Sequence, residues 1–202
     1  MGREFLEKIR KMNWVLSEST TGSLSYTDLS RIMSELIHAN TYIINAQGRV
    51  LGVGYTNAED DTSTYIDELG FEKIPEANNR NLLKLTETKV NLLGEKLKEI
   101  LGEDYPQSGK YHMFIPSVCG GKRIGTILLA KYGAAFTDED VALGEYGATV
   151  VGLEMMRSVN EENVEENRKV QVVKSAFNTL SFSELEAIIH IFDELNGDEG
   201  IL

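Results

Sequence analysis

The sequence predicts an α/β (α+β) fold: a central antiparallel sheet flanked by helices and followed by one long helix. Three observations predict it. Two apolar, β-branched stretches are each broken by a short turn, at Ala46-Gln47-Gly48 and at Gly120-Gly121. Two amphipathic helical patterns precede the first stretch. After Thr137 no proline occurs, and the helical pattern persists to about residue 176.

The elements follow in order. Phe5, Ile9, Met12 and Leu16 stand at helical spacing over residues 3–17. A Gly/Ser/Thr cluster from Ser17 to Ser25 breaks that helix, and Thr27 or Asp28 is expected to cap the next. Its buried face is Leu29, Ile32, Met33, Leu36 and Ile37. A first hairpin covers about 41–45 and 49–55. An acidic stretch, Asn57 to Asp61, leads to an expected short helix near 62–69 that Gly70 ends. Residues 71–109 are irregular, with helical character near 78–85 and 95–101. The second hairpin is YHMFIPSVCGGKRIGTILLAKY. Thr137, Asp138, Glu139 and Asp140 then open the long helix with acidic residues in its first turn. The stretch SVNEENVEENRK (158–169) is polar all round, as in helices that bridge domains. Ser181 and Glu184 form a capping box that opens a last helix running through Leu195.

Composition narrows the function. With 202 residues, 42% of them hydrophobic, the chain holds one domain plus an extension, or two small domains. The net charge of −12 opposes nucleic-acid binding, which draws on Lys and Arg to neutralise phosphates. The basic clusters Lys8–Arg10–Lys11 and Lys122–Arg123 are too small to track a duplex. No stretch reaches the roughly 18 uncharged apolar residues of a membrane span, and no secretory signal is expected. Cys119 is the only cysteine, which fits a reducing cytoplasm. With neither a second thiol nor a base it makes a weak nucleophile. His38, His112 and His190 are scattered, so no metal site is expected. No catalytic set assembles, and the reading is of a binding protein, not an enzyme.

Three segments carry a specific resemblance: GGKRIGTILLAKY (120–132), LGEYGATVVGLEMMR (143–157) and LSFSELEAIIHIFDELNGDEGIL (180–202). They resemble the CodY family, nutrient-sensing global repressors of low-GC Gram-positive bacteria. The resemblance implies a GAF-like ligand-sensing domain over 1–136, a linker and dimerisation helix over 137–179, and the start of a winged helix-turn-helix over 180–202. It further implies a homodimer, a branched-chain amino acid (isoleucine, valine or leucine) as effector, and GTP as a second signal. Operator DNA would be bound only through the remainder of the winged helix, which is missing here. No phosphate-loop pattern is present, so no residue is assigned to GTP.

The expected ligand-binding residues are Tyr42, Thr64, Tyr65, Ile66, Leu69, Phe71, Ile74 and Pro75. Tyr42 matches an aromatic that the family uses near its ligand, and the others would wall an aliphatic pocket or simply close a small core. The family's carboxylate-binding arginine would fall near Thr64, but no Arg lies between 50 and 79. Thr62, Ser63, Thr64, loop amides near 96–100 and Arg80 are the possible substitutes. The competing reading is a GAF-fold dimerisation or adaptor module with no small-molecule ligand. Self-association is expected through Val150, Val151, Met155 and the 170–177 segment.

Overall fold

A computed structural model describes residues 2–18, 25–56, 64–102 and 109–195. Helices α1 (Gly2–Glu18) and α2 (Tyr26–Ile37) precede strands β1 (Asn40–Asn45) and β2 (Val50–Gly54). A two-stranded ribbon, β3 (Tyr65–Ile66) and β4 (Glu72–Lys73), follows, then α3 (Glu76–Leu83), β5 (Lys89–Leu92) and α4 (Glu95–Leu101). Strands β6 (Lys110–Cys119) and β7 (Lys122–Tyr132) form the second hairpin. Helices α5 (Asp138–Thr179) and α6 (Phe182–Leu195) complete the described chain. The chain divides into two compact units, residues 1–157 and 158–202, so the first part of α5 belongs to the first unit.

The main sheet has the order β2-β1-β7-β6-β5 and is antiparallel throughout. Alternation sends successive side chains to opposite faces. Ile43, Met113, Ile115, Ile127 and Leu129 pack on one face with α1, α2 and the start of α5. Tyr42, Ile44, Phe114, Leu128 and Ala130 lie on the other, under Ile74, Leu82, Leu97 and Leu101 of the 74–101 segment. Antiparallel sheets commonly leave one face to solvent. This one buries both, which explains the almost unbroken apolar runs of β6 and β7.

The helix layer lies very close to the sheet. A Cβ at Gly54 would stand 2.2 Å from the Ser30 carbonyl oxygen of α2, a backbone atom with nowhere to go. At Gly147 of α5 it would stand 2.5 Å from the Met33 side chain. Val151 and Met155 are buried in that same helix-side core, so they are not available to the self-association face expected for them. Leu153 and Val159 of α5 are exposed.

Several local expectations are corrected. The cap of α2 is Ser25, whose hydroxyl accepts the Asp28 amide, not Thr27 or Asp28. The expected helix near 62–69 is, over its described part, a strand and a turn: Asp67 Oδ1 accepts the amides of Leu69 and Phe71 at 2.9 Å, an Asx turn that competes with helix. Residues 62 and 63 lie outside the described residues. Strand β5, unrecognised in the sequence, extends the sheet beyond β6.

Two anticipated helix starts form. Thr137 Oγ1 accepts the Asp140 amide, and Asp140 Oδ2 accepts the Thr137 amide in return. Ser181 and Glu184 pair before α6, the Ser181 amide donating to the Glu184 carboxylate at 2.8 Å. Asp140 also takes the Lys131 ammonium at 2.7 Å. Breaking such a largely buried pair by removing one partner costs about 3–5 kcal/mol. It fastens the start of α5 to the end of β7.

Candidate functional site

The face of the sheet opposite α1, α2 and the start of α5 combines apolar walls with buried polar groups. Across one row, Asn40 pairs with Ala130, which pairs with His112, which pairs with Leu92. The next row out brings Lys110 beside Tyr132. Asn40 and His112 are fully buried and Lys110 is 1% exposed, unusual values for such groups. Asn40 Oδ1 accepts the Thr56 amide at 2.8 Å, and His112 Nδ1 lies 3.1 Å from the Lys110 carbonyl oxygen. The Lys110 ammonium stands 5.5 Å from the centre of the Tyr132 ring. Toward the middle of the face the surroundings become apolar: Tyr42, Phe114, Leu128 and Ala130 below, Ile74, Leu97 and Leu101 above.

The roof is tied to the hairpin turns. The Asn79 side-chain amide of α3 donates to the Ala46 carbonyl at 3.0 Å. The Arg123 guanidinium donates to the Leu82 carbonyl and to Thr126 Oγ1. Burial pushes Arg123 down to about 10, so it remains a cation at neutral pH. Asn91 clasps the backbone of Phe136, donating to its carbonyl and accepting its amide. The far edge of the sheet is thereby joined to the segment entering α5.

The expected ligand residues separate into two groups. Tyr42 and Ile74 are buried together in the second-face core, Tyr42 edge-on to Tyr55 at 6.1 Å. Pro75 caps the start of α3. Tyr65, Ile66 and Leu69 stand out on the β3–β4 ribbon, Leu69 being 79% exposed. Thr64 is half-buried just before it. Phe71 packs beneath the Arg49 guanidinium, 3.5 Å from ring centre to carbon, which fastens the ribbon to the first hairpin. Of the arginine substitutes, Thr62 and Ser63 lie outside the described residues. Arg80 is exposed and paired with Glu76 on its own helix. The backbone near 96–100 lies within α4. Lys110, His112 and Asn40 were not anticipated as a group, because only the pairing of β1, β7 and β6 brings them together.

A different concavity, an open groove of about 370 Å³, lies between the 86–88 segment, β6 and α5. Thr88 donates to Glu145 across it at 2.6 Å. With Glu87 and Glu145 in its lining, it suits an anionic ligand poorly. Among the described residues, no group of three or more His, Cys, Asp or Glu could hold a metal. No described helix is long and apolar enough to cross a membrane.

Comparison with known proteins bears on the family and the fold. The family model for the CodY GAF-like domain matches residues 4–179. The global transcriptional regulator CodY of Clostridium beijerinckii is 41% identical over 201 residues, covering 98% of this chain and 77% of that protein. Its counterpart from Thermoanaerobacter sp. is 43% identical over 197 residues, covering 98% and 76%. Among solved structures, the cofactor-binding GAF domain of the nutrient sensor CodY from Clostridium difficile superimposes with a TM-score of 0.61 at 36% identity, covering 77% of this chain and 99% of that one. The GAF domain of an Acinetobacter phosphoenolpyruvate-protein phosphotransferase matches at a TM-score of 0.54 with 10% identity, a likeness of fold alone.

The ribbon's stability should depend on pH. A hydrogen bond from Lys73, with the amides of Phe71 and Leu69, holds the Asp67 carboxyl below its ordinary 3.8. A depressed carboxyl stabilises the fold above its unfolded pKa, and that contribution is lost as pH falls through the folded value. Hydrogen-exchange protection of the Leu69 and Phe71 amides should therefore fall as pH drops below 3.8. In Asp67→Asn it should be lower and flat over the same range. Protection in the parent that does not change with pH would contradict this.

Proposed function

The chain belongs to the CodY family, and from that premise we propose that it is the effector-sensing part of a global transcriptional regulator, binding a branched-chain amino acid on the second face of its sheet. Its relatives are named transcriptional regulators, and its solved relative is described as a cofactor-binding nutrient sensor. Isoleucine, valine or leucine is the effector class in this reading. GTP enters only as a second effector, with no residues assigned. Control of genes would be exerted at operator DNA through a winged helix, in a cytoplasmic homodimer without catalytic activity.

The observation that supports an amino-acid ligand is the division of the second face. A buried polar end, Asn40, His112 and Lys110, adjoins an apolar wall of Leu128, Phe114 and Ile74. Ligand pockets pair apolar walls with a few convergent polar groups. Burying an isoleucine side chain contributes about 1.5–3 kcal/mol. Micromolar affinity needs about 8 kcal/mol, so the charged ends of the amino acid must be paired for much of the rest.

Roof side chains pack directly onto this face, so entry requires the roof to lift. We assign Tyr65, Ile66 and Leu69 to the flap that closes over the bound side chain, with Thr64 and Phe71 at its base and Tyr42, Ile74 and Pro75 fixed beneath. Exposed apolar side chains on a small ribbon, tied down by Phe71 and the Asp67–Lys73 pair, are the motive. Calorimetric titration with L-isoleucine should show binding. Leu69→Asp, at a position exposed enough to leave the fold intact, should abolish it by setting a carboxylate against the ligand's apolar end. Undiminished binding by a folded Leu69→Asp would remove the flap from the site. No binding by the parent would favour the adaptor reading.

Self-association is assigned to the α5 surface around Leu153 and Val159, with the 170–177 segment, since apolar residues there are exposed. Sedimentation velocity at high micromolar concentration should give a dimer; a monomer would contradict the assignment.

A further inference from the structure

We propose that β5 carries the state of the second face to the start of α5, with Asn91 as the residue that positions the helix entrance. The inference rests on the reading that the second face receives an amino acid, and adds the element through which occupancy reaches the long helix.

The way β5 is held leads to it. It is an edge strand, paired within the sheet to β6 alone. That pairing is interrupted: from the Lys89–Phe114 pair to the Leu92–His112 pair, β5 advances three residues while β6 advances two. An irregularity of this kind disrupts the ladder locally. Strand β7, by contrast, lies inside the sheet and keeps an unbroken register with the whole of β1. Of the two strands linked to α5, β5 is the one the sheet holds less firmly.

Contacts to α5 and its entrance hold what the sheet leaves loose. Just before the strand, Thr88 Oγ1 donates to Glu145 Oε1 of α5 at 2.6 Å. Within it, Asn91 Nδ2 donates to the Phe136 carbonyl at 3.1 Å, and Asn91 Oδ1 accepts the Phe136 amide at 2.7 Å. Asn91 stands at a φ of 56°, a left-handed conformation that asparagine adopts more readily than most residues. Phe136 is buried in the helix-side core. The next residue, Thr137, supplies the hydroxyl that accepts the Asp140 amide and the carbonyl that accepts the Val141 amide. Holding Phe136 therefore holds the cap of α5.

The end of β5 belongs to the other core. Leu92 is buried with Leu97 and Leu101 of the roof and with Phe114 of the floor. Only Leu93 and Gly94 separate it from α4. Two neighbours in the chain thus reach opposite sides of the sheet: Leu92 enters the second-face core, and Asn91 grips a residue of the helix-side core. The roof, lifted or closed, is the element with two arrangements that coupling requires. A ligand that binds the closed arrangement better fixes Leu92, and through Asn91 the entrance to α5.

The test follows amide hydrogen exchange at Asp140 and Val141 in the whole 202-residue chain, with and without saturating L-isoleucine, alongside calorimetric titration. In the parent the ligand should slow exchange of both amides about fivefold or more, the lower end of ordinary coupling between sites. Asn91→Gly tolerates the positive φ but removes both hydrogen bonds to Phe136. It should still bind L-isoleucine, while the ligand changes exchange of the two amides by less than about twofold. Thr88→Val removes only an exposed hydrogen bond and should shrink the ligand effect in part, so it serves as the test should Asn91→Gly fail to fold. A merely structural clasp would shift exchange equally with and without ligand, and a ligand effect of parental size in folded Asn91→Gly would overturn the coupling. So would such an effect in Thr88→Val where Asn91→Gly does not fold, or a parent that binds L-isoleucine without protecting the start of α5. A folded Asn91→Gly that no longer binds would make the clasp part of the site and overturn its role as a link. A parent that does not bind L-isoleucine would overturn the sensor reading itself, and the coupling with it.

Discussion

The antiparallel register of β1, β7 and β6 is the constraint on which the rest of the molecule depends. Because side chains alternate strictly, fixing Ile43 opposite Ile127 and Ile115 toward the helices also fixes Tyr42, Leu128 and Phe114 toward the roof. A slip of one residue would exchange the two faces and send Lys110, His112 and Asn40 into the helix-side core. Glycines at 54 and 147 lock the layer on that side by admitting backbone and methionine at distances no Cβ would allow. One face is thus committed to structure, and the other is left as the surface where function can be placed.

Physical links lead from that second face to α5. Ala130 and Tyr132 face the site, while Lys131 between them turns to the other side and pairs with Asp140 at the start of α5. Asn91, at the far edge of the sheet, holds the backbone of Phe136 in the segment entering the same helix. A ligand that moved β7 or β5 would act on the helix start through hydrogen bonds and an ion pair that already exist. Such a device needs only two arrangements of the roof with different affinities for the ligand.

Much of this was legible in the sequence. The two hairpins carry their own turn chemistry, α1 and α2 show plain amphipathic spacing, and the acidic run after Thr137 announces the start of α5. What was not legible depended on distant partners or on local chemistry that mimics another pattern. Tyr65, Ile66 and Leu69 are spaced like a helical face, but the Asp67 side chain captures two amides and turns the chain back. Strand β5 is four residues long and contains Asn91 at a positive φ of 56°, so it shows no usable alternation. Asn40, Lys110 and His112 meet only through the pairing of β1, β7 and β6, which joins residues far apart in the sequence. Tyr42 and Ile74 stand in the second-face core, whereas Tyr65, Ile66 and Leu69 stand exposed on the ribbon.

The central claim is that an amino acid binds on the second face of the sheet, and intermolecular NOEs from ¹³C-labelled isoleucine to the protein test it most directly. Contacts from the ligand methyl groups to Leu128, Phe114 and Ile74 are the predicted result. Contacts instead to Thr86, Pro116 and Thr149, which line the groove beside α5, would place the ligand elsewhere and contradict the account.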